Sequence, residues 1–372
     1  MMGVKYTGTF QDHSGYGSAN RNFITSLTFA GVDVTTELVA QTPEKSTYGW
    51  VDHLTDSLKE RAIPYKVKII HLTPDLYPTY MEKGRYHIGH LFWETDKLPQ
   101  PWVEPCNKMN EIWCASSQQA EMIKRSGVIV PIRYFPQPID TSKVGKITKP
   151  FVVPNFEGTI FYAVFQWIER KNPKTLLQTY LKTFTGRDDV VLVLKTYRVT
   201  YGETEFQKIK EDIKRWKEEL NLTHYPKVFL ANKLLDTDSV FRVHLTGDCF
   251  INASRGEGWN IPSVEAMLMS KPIISINKTG IADYLPKENY YPCNTREAHV
   301  TETSWIPWYT KDQKWLEISE KDLSDNMLAV YNDKLGAKNK GLQSQQYVQD
   351  NFNYNAIGMK MRERLEEIYR FL

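Results

Sequence analysis

The stretch from residue 248 to residue 274 constrains the fold more than any other, because a strand pattern, a loop and a helix pattern follow one another without a gap. Residues 248–253 form a short apolar run that predicts a buried strand. Pro262 suits the first turn of a helix, and the apolar positions of 264–268 keep helical spacing until 270–272. A second apolar run follows. Strand, loop, helix and strand in this order are the repeating unit of an α/β fold.

The loop of this stretch carries candidate chemistry. Gly256 and Gly258 allow backbone N–H groups to approach a ligand closely. The helix start offers unpaired N–H groups and partial positive charge to an anion such as a phosphate. Beside that anion, Glu257 can accept hydrogen bonds from sugar hydroxyls, and Glu265 can hold a cis-diol such as ribose. The alternative is an ordinary turn, with Glu257 solvated and Glu265 favoured only by the helix dipole.

Residues 257–267, Glu-Gly-Trp-Asn-Ile-Pro-Ser-Val-Glu-Ala-Met, and Lys-Pro-Ile-Ile at 271–274 resemble the E-x7-E signature of retaining GT-B glycosyltransferases, most closely those of family 4. The usual form there is Glu-Gly-Phe-Gly, then Glu-Ala-Met-Ala, Gly and Pro-Val-Ile. This chain has Trp259 for Phe, Asn260 for Gly and Ser270 for Gly. We expect the first two changes to alter the sugar pocket and the third to cost little. The resemblance implies an α/β, GT-B fold, in which two Rossmann-like doubly wound domains face each other across a cleft.

A basic pair, Arg170 and Lys171, follows the apolar run 159–165, which predicts the first strand of a second α/β cycle. Arginine offers a planar fork and lysine a point charge to a diphosphate leaving group. The alternative is a solvated helix start. The resemblance favours the first interpretation, although Gln166 and Trp167 stand where the family has Gly-Arg.

The start of the chain repeats the pattern of strand, glycine-containing turn, helix and strand over residues 4–37, which opens a doubly wound domain. Helical spacing there predicts a buried face that includes Phe29. Gly15 and Gly17 would let the turn approach a diphosphate, or they form an ordinary tight turn. The resemblance implies the first role.

Residues 86–94 predict a further strand, with Glu94 at its exit. Because ligands bind at the carboxyl ends of strands in such sheets, Glu94 and His90 are candidates for substrate contact. The alternative for His87 and His90 is a pair on opposite faces, one buried and one solvated.

From these patterns and the resemblance, the catalytic candidates are Glu257, Glu94, Arg170 and Lys171. Thr279 and Gly280 partly match a Gly-Gly pair near the donor phosphates in the family, and Lys195 lies on a strand that follows the basic pair. The implied donor-binding residues are Gly15, Gly17, Arg170, Lys171, Lys195, Glu257, Gly258, Trp259, Asn260, Glu265, Thr279 and Gly280.

A chain of 372 residues is long enough for about two domains. The aperiodic segment 141–158 predicts a linker, which gives an acceptor-side domain at 1–150 and a nucleotide-sugar-binding domain at 151–348. Residues 349–372 predict a helix, and the resemblance implies that it crosses back to the first domain. The aromatic region 300–316 receives no assignment.

Charge and cysteine content bear on the partners and the location of the protein. The net charge is +3, and the first 150 residues hold 17 Lys and Arg against 15 Asp and Glu, which is no basic arm. Four scattered cysteines favour a reducing cytosol, and we expect a cytoplasmic protein. No stretch has the length of a membrane span, and peripheral membrane contact stays open. Asp236 and Asp238 predict a helix cap rather than a metal motif, so no metal and no cofactor are expected.

The leading hypothesis is a retaining, metal-independent hexosyltransferase that moves a sugar from a UDP- or GDP-sugar to a glycan or another hydroxyl acceptor. One alternative is a DNA-modifying glycosyltransferase that acts on hydroxymethylated bases. The near-neutral first half disfavours it, because duplex binding needs clustered Lys and Arg, but a nucleic-acid acceptor stays open. A second alternative is a sugar-nucleotide-binding protein without transfer activity.

Overall fold

The computed structural model describes residues 2–12, 14–39, 50–303 and 306–372. The chain divides into two compact units. The first unit contains Met1–Thr141, Thr303–Gln313 and Gln349–Leu372, and the second contains Ser142–Glu302 and Lys314–Val348. The domain limits 1–150, 151–348 and 349–372 inferred from the sequence stay predictions.

The described residues of the first unit build a parallel six-stranded sheet in the order β2-β1-β3-β4-β5-β6. The order reverses between β1 and β3, so the loops after these two strands diverge and leave a crevice at their carboxyl ends. The strands are β1 (Gly3–Gly8), β2 (Asp33–Leu38), β3 (Val67–His71), β4 (Tyr86–His90), β5 (Glu111–Cys114) and β6 (Ile132–Tyr134).

Helix α1 shows how the sequence sets this unit. Ser14 caps it by accepting a hydrogen bond from Gly17 N at 3.1 Å, and Phe23, Ile24 and Leu27 are buried. Phe29 was predicted on the same buried face, but its side chain is 55% exposed, and its ring lies 5.6 Å from that of Tyr354. The helices of this part are α1 (Gly15–Phe29), α2 (Trp50–Ser57), α3 (Tyr77–Tyr80), α4 (Gln100–Asn107) and α5 (Ser117–Arg125).

The second unit holds another parallel six-stranded sheet, in the order β12-β11-β10-β7-β8-β9. This is the strand order of the Rossmann fold, and its reversal lies between β7 and β10. An antiparallel hairpin of β13 and β14 is added. The strands are β7 (Thr159–Gln166), β8 (Val190–Tyr197), β9 (Lys227–Ala231), β10 (Cys249–Asn252), β11 (Ile273–Ile276), β12 (Tyr291–Cys293), β13 (Thr295–His299) and β14 (Lys314–Ile318).

Helices follow most strands of the second unit, as the sequence predicts. Asp236 caps α8 by accepting from Ser239 N at 2.6 Å, which confirms the capping interpretation of residues 236–238. The helices are α6 (Pro173–Thr183), α7 (Glu203–Leu220), α8 (Thr237–Thr246), α9 (Ile261–Leu268), α10 (Glu320–Asn332) and α11 (Lys334–Asn351).

The last helix, α12 (Tyr354–Tyr369), packs against α1 within the first unit. Gly358 allows this close approach, because a Cβ atom there would lie 2.1 Å from Ser26 O. At the far end, Arg364 pairs with the fully buried Glu111 at 2.5 Å. The apolar face that the sequence predicts is buried at Ile357, Met361, Leu365 and Ile368, but Leu372 is exposed.

The aromatic region 300–316 supplies a segment of the first unit, Thr303–Gln313. There the ring of Trp308 lies 5.3 Å from Trp102, and Tyr309 lies 5.3 Å from Trp93. Ser304 and Trp305 fall outside the described residues. None of the described helices is long and apolar enough to span a membrane. All four cysteines are buried thiols.

Candidate functional site

The loop between β10 and α9 lies at the carboxyl edge of the second sheet, beside the point where the strand order reverses. Glu257 in this loop is only 5% exposed. A buried carboxylate needs partners that replace its hydration. The segment that follows β7, a short 3-10 helix at Glu169–Lys171, provides them.

Glu257 binds both members of the basic pair. Lys171 Nζ lies 2.5 Å from Glu257 Oε1, and Arg170 Nη1 lies 3.3 Å from Oε2 and also donates to Gly256 O at 2.7 Å. Burial alone would raise the pKa of Glu257, but Lys171 and Arg170 outweigh it and hold that pKa below its usual range. The carboxyl is therefore ionised near neutral pH. In this contact, one carboxylate binds two cations.

A second arginine braces the two loops. Arg255 N donates to Arg170 O at 2.7 Å, and its Nη1 donates to Glu169 O at 2.7 Å. Its Nε also pairs with Glu317 Oε1 of β14 at 2.5 Å. The brace fixes the 3-10 helix that carries Arg170 and Lys171 against the loop that carries Glu257.

A small pocket opens between the ends of β7 and β10. Its lining includes Lys171, Asn252, Ser254 and Asn260. Next to Lys171, Asn172 is 1% exposed, and neither polar atom of its side chain has a partner in the described part of the chain. A buried amide without partners costs free energy, which is typical of a site that receives a polar ligand or water.

Backbone conformation explains the departures from the glycine pattern. Asn260 has φ 69° and caps α9 by accepting from Ser263 N at 3.0 Å. Asparagine tolerates this left-handed region better than most residues, so it can replace glycine there. Ser270 has φ 59°. Its replacement of glycine therefore carries a conformational cost, where the sequence suggested almost none.

Thr279 is the most strained of these positions. Its φ of 67° and ψ of −164° belong to a region that is essentially restricted to glycine. Its buried Oγ1 has no partner among the residues that the structure describes. The adjacent Gly280 must be glycine, because a Cβ atom there would lie 2.2 Å from Gly258 O. The loop after β11 is thus pressed against the loop that carries Glu257.

The side chain of Trp259 turns into the unit. It is 4% exposed, and its ring lies 4.4 Å from that of Tyr284. Glu265 lies one turn into α9, and its Oε2 is 3.2 Å from Nε2 of His244. The donor roles of Gly258, Trp259 and Glu265 stay predictions.

Lys195 lies on β8 and is 4% exposed. Burial lowers its pKa to about 8. Its Nζ lies 4.5 Å from the ring centroid of Tyr201 and 3.4 Å from the hydroxyl, and no carboxylate among the described residues pairs with it. A buried cation of this kind can serve an anion, but the structure does not bring Lys195 into contact with Glu257.

The candidates in the first unit are described separately. Gly15 and Gly17 lie in the first turn of α1 rather than in a free loop. Gly17 has a packing role, because a Cβ atom there would lie 2.2 Å from Asp12 O, whereas space around Gly15 is open. Their donor-binding role stays a prediction.

The candidates in and after β4 include His87 and His90 on the strand itself, and both are buried, so the alternative in which one is solvated is wrong. His90 stacks on His71 with ring centroids 4.0 Å apart. His87 Nε2 accepts from Glu82 N at 2.9 Å. Glu94 is partly exposed, and Tyr309 OH donates to its Oε2 at 3.4 Å.

No protein-family model and no curated protein matches this chain. Solved structures do. Sucrose-phosphate synthase from Thermosynechococcus elongatus superposes with a TM-score of 0.69 at 12% identity over 100% of both chains. HepE of Anabaena, in complex with UDP and glucose, superposes with a TM-score of 0.68 at 11% identity over 99% of this chain and 100% of its own. A mutant of S. aureus TarM, in complex with fondaparinux, α-GlcNAc-glycerol and UDP, superposes with a TM-score of 0.58 at 14% identity over 80% of this chain.

This is the GT-B fold. The likeness extends over the whole of the first two proteins, whereas this chain spans about half, 55%, of TarM. At 11–14% identity, the comparison shows the fold alone.

Within this GT-B chain, sequence reasoning missed the brace and the partner of Glu265. Arg255 stands between Ser254 and Gly256 in the central motif, and its position beside Glu257 was a usable signal. Its partner Glu317 is 62 residues away and has no local signature. His244 lies in a helix whose apolar spacing indicates only burial.

The described residues of this GT-B chain contain no group of three or more His, Cys, Asp or Glu placed to hold a metal ion. Asp236 and Asp238, which match a D-x-D pattern, lie at the start of α8, where Asp238 pairs with Lys143 at 2.5 Å.

Proposed function

We propose that this protein is a retaining glycosyltransferase of the family 4 type, which moves a sugar from a nucleotide-sugar donor to a hydroxyl of a glycan or another acceptor. The observation that carries the proposal is the buried cluster of Glu257, Lys171 and Arg170. It lies at the reversal point of a Rossmann-order sheet, where such sheets bind nucleotides. A planar guanidinium and an ammonium held side by side suit a diphosphate.

UDP is the first nucleotide to test, because the structures of HepE and TarM contain it, and GDP is the second. The phosphates would lie at the N-terminus of α9, near Lys171 and the backbone of Gly258 and Gly280. Asn172 and Thr279, whose buried polar atoms have no partner in the described chain, are available to such a ligand. Glu265 would accept from the ribose, and Lys195 would add charge at the same edge.

In the proposed reaction, the bond between the anomeric carbon and the phosphate oxygen of the donor breaks. The acceptor oxygen bonds to that carbon on the same face, which retains configuration. The acceptor proton passes to the departing diphosphate, so no metal and no protein nucleophile is required. Glu257 would orient the sugar, and Glu94 stays a catalytic candidate.

Lys171 and Arg170 would act on the departing group. Its negative charge grows as the glycosidic bond breaks, so a fixed cation stabilises the transition state more than the bound substrate. Glu257 and the Arg255 brace hold both cations in place before the donor binds. We also propose a cytoplasmic location, which four buried thiols favour.

The test is a panel of nucleotide-sugars, assayed for nucleoside diphosphate release with and without glycan acceptors. The anomeric configuration of the product, read by NMR, tests retention. Replacing Lys171 by Met should lower kcat by about 10²- to 10³-fold, the cost typical of losing one preorganised charge.

Lys174→Met is the matched control, because Lys174 lies on the next helix and pairs at the surface with Glu219 at 2.7 Å. It should leave turnover unchanged. The proposal fails if no donor in the panel binds or turns over, or if Lys171→Met is as active as the Lys174 control. Binding without release under any acceptor would leave a sugar-nucleotide-binding protein.

A further inference from the structure

His244 of α8 connects a strand to the helix that carries Glu265. Its Nδ1 lies 3.1 Å from the hydroxyl of Tyr162 on β7, and its Nε2 lies 3.2 Å from Glu265 Oε2 on α9. Tyr162 and His244 are both fully buried. Rings of Phe250 and Phe241 pack against the imidazole at 5.8 and 6.1 Å, which fixes its plane.

The chemistry of these three groups fixes the direction of the hydrogen bonds. A carboxylate only accepts, so the proton between His244 and Glu265 lies on Nε2, which donates to Oε2. An imidazole with one ring proton then accepts at Nδ1. Tyr162 donates that hydrogen bond, because burial raises the pKa of Tyr162 well above its ordinary value and its hydroxyl keeps its proton. The chain of donors runs from Tyr162 through His244 to Glu265.

The other oxygen of Glu265 is open. Oε1 has no hydrogen-bond partner among the described residues, and the side chain is 15% exposed. The base of the same helix is fixed by the Asn260 cap. The carboxylate is therefore held in one orientation. Its Oε2 is hydrogen-bonded to His244 inside the unit, and its Oε1 takes no part in that hydrogen bond.

We propose that Tyr162 and His244 are positioning residues that hold Glu265 so that its free oxygen accepts from the vicinal hydroxyls of a nucleoside ribose. The inference rests on the proposed function, since it takes the ligand to be a nucleotide-sugar. A glutamate that is already ordered loses less rotamer entropy when it binds, which strengthens affinity for the ground state and the transition state alike. The expected signature is thus a change in KM without a change in kcat.

The experiment measures binding of UDP and of 2′,3′-dideoxy-UDP by calorimetry, with the GDP pair as the second set of probes. His244→Phe keeps an aromatic ring but removes both hydrogen bonds. It should weaken UDP binding about tenfold, since it removes a bond to a charged group and its ordering effect. Binding of the dideoxy nucleotide, which lacks the diol, should stay within about twofold of wild type. In turnover, KM should rise by the same factor while kcat stays constant.

His244→Gln is the rescue variant, because the amide nitrogen of glutamine can replace Nε2 as donor to Glu265. It should bind UDP within about threefold of wild type. Tyr162→Phe removes only the hydroxyl that donates to His244, and its UDP affinity should lie between those of His244→Phe and His244→Gln. Thr246→Val is the control on α8, since it removes bonds to Phe151 O and Arg242 O that do not reach Glu265. It should bind both nucleotides normally.

Two results would overturn the inference while leaving the proposed function intact. One is a His244→Phe protein that binds UDP as well as wild type does. The other is equal weakening for UDP and for its dideoxy form, because loss without regard to the diol indicates a structural role. If wild type binds neither UDP nor GDP and turns over no donor, the proposed function fails first, and this inference fails with it.

Discussion

The two sheets reverse their strand order at comparable points, but the surroundings of those points differ in kind. In the second unit, the ends of β7 and β10 carry Glu257, Lys171 and Arg170, all in contact. In the first unit, β3 borders the reversal and ends at His71, which stacks at 4.0 Å on His90 at the end of the neighbouring β4. Aromatic rings surround that pair, from Tyr16, Phe23, Phe92 and Trp113.

The difference shows how each crevice is held together. The charged crevice keeps its geometry through ion pairs and the Arg255 brace. Its residues Asn260 and Thr279 have positive φ angles. The aromatic crevice keeps its geometry through ring packing and close backbone contact. Burial lowers the pKa of His90 to about 3 and holds that of His71 well below its usual range, with His90 adding to the effect. Both histidines are therefore neutral and add no charge of their own to this crevice.

Gly17 gives the largest expected effect on the aromatic side. The loop after β1 lies on the first turn of α1, where Arg21 Nη1 donates to Asp12 O at 2.6 Å. A Cβ atom at position 17 would lie 2.2 Å from that same oxygen. Gly17→Ala should therefore lower the free energy of unfolding by about 2 to 3 kcal/mol, as overpacking does, measured by urea denaturation.

Gly15→Ala is the matched control, because nothing lies within 4 Å of the Cβ position there. It should be neutral or stabilising by about 0.5 kcal/mol, since alanine lowers the entropy of the unfolded chain. Equal stability of the two variants would contradict the view that backbone packing holds this crevice.

His90 gives the next effect, through pH. Its folded pKa is about 3 and the unfolded value is about 6.5, so between these values the unfolded chain binds a proton that the folded chain does not. Stability is complete above about pH 6.5 and falls as the pH drops toward 3. Between pH 7.5 and 5.0 the loss from this histidine is about 2 kcal/mol.

His90→Phe should remove that loss. Neither ring nitrogen of His90 has a partner in the described chain, so the variant leaves no broken hydrogen bond. The difference in unfolding free energy between pH 7.5 and 5.0 should shrink by about 2 kcal/mol, compared with wild type by urea denaturation at both values. Removing the partly exposed His224 in the second unit by His224→Gln is the control. An unchanged pH profile for His90→Phe would mean that the imidazole is not buried in solution.

The sequence predicts the local features of the fold better than the contacts between distant residues. Strands, helices and caps depend on local spacing, and the Asp236 cap and the loop at 254–260 were predicted from it. Arg170 and Lys171 were expected to serve the same ligand as Glu257, but the ion pairs among the three were not predicted.

The parts that the sequence does not give are those made by residues far apart in the chain. The aromatic segment Thr303–Gln313 packs on Trp93 and Trp102, about which local periodicity carries no information. The pair of Arg255 and Glu317 and the bond from His244 to Glu265 join separate elements in the same way. His90 was misjudged for a related reason, because alternation along a strand tells which face a residue takes but not whether that face is covered.

Thr279 gives the smallest expected effect and sharpens the charged side of the comparison. Its backbone occupies a region that costs a residue with a Cβ atom about 1 to 3 kcal/mol. Glycine removes that cost but raises the entropy of the unfolded chain, so Thr279→Gly should gain about 1 kcal/mol in thermal or urea unfolding. Thr279→Ala separates the causes, because it removes the buried hydroxyl and keeps the Cβ atom. If both variants gain equally, the hydroxyl and not the backbone is the source. If only Thr279→Gly gains stability, the second unit holds backbone strain at the loop beside Gly258. A loss of nucleotide affinity in that stabilised variant would then mean that the strain, or the Thr279 hydroxyl, contributes to ligand binding.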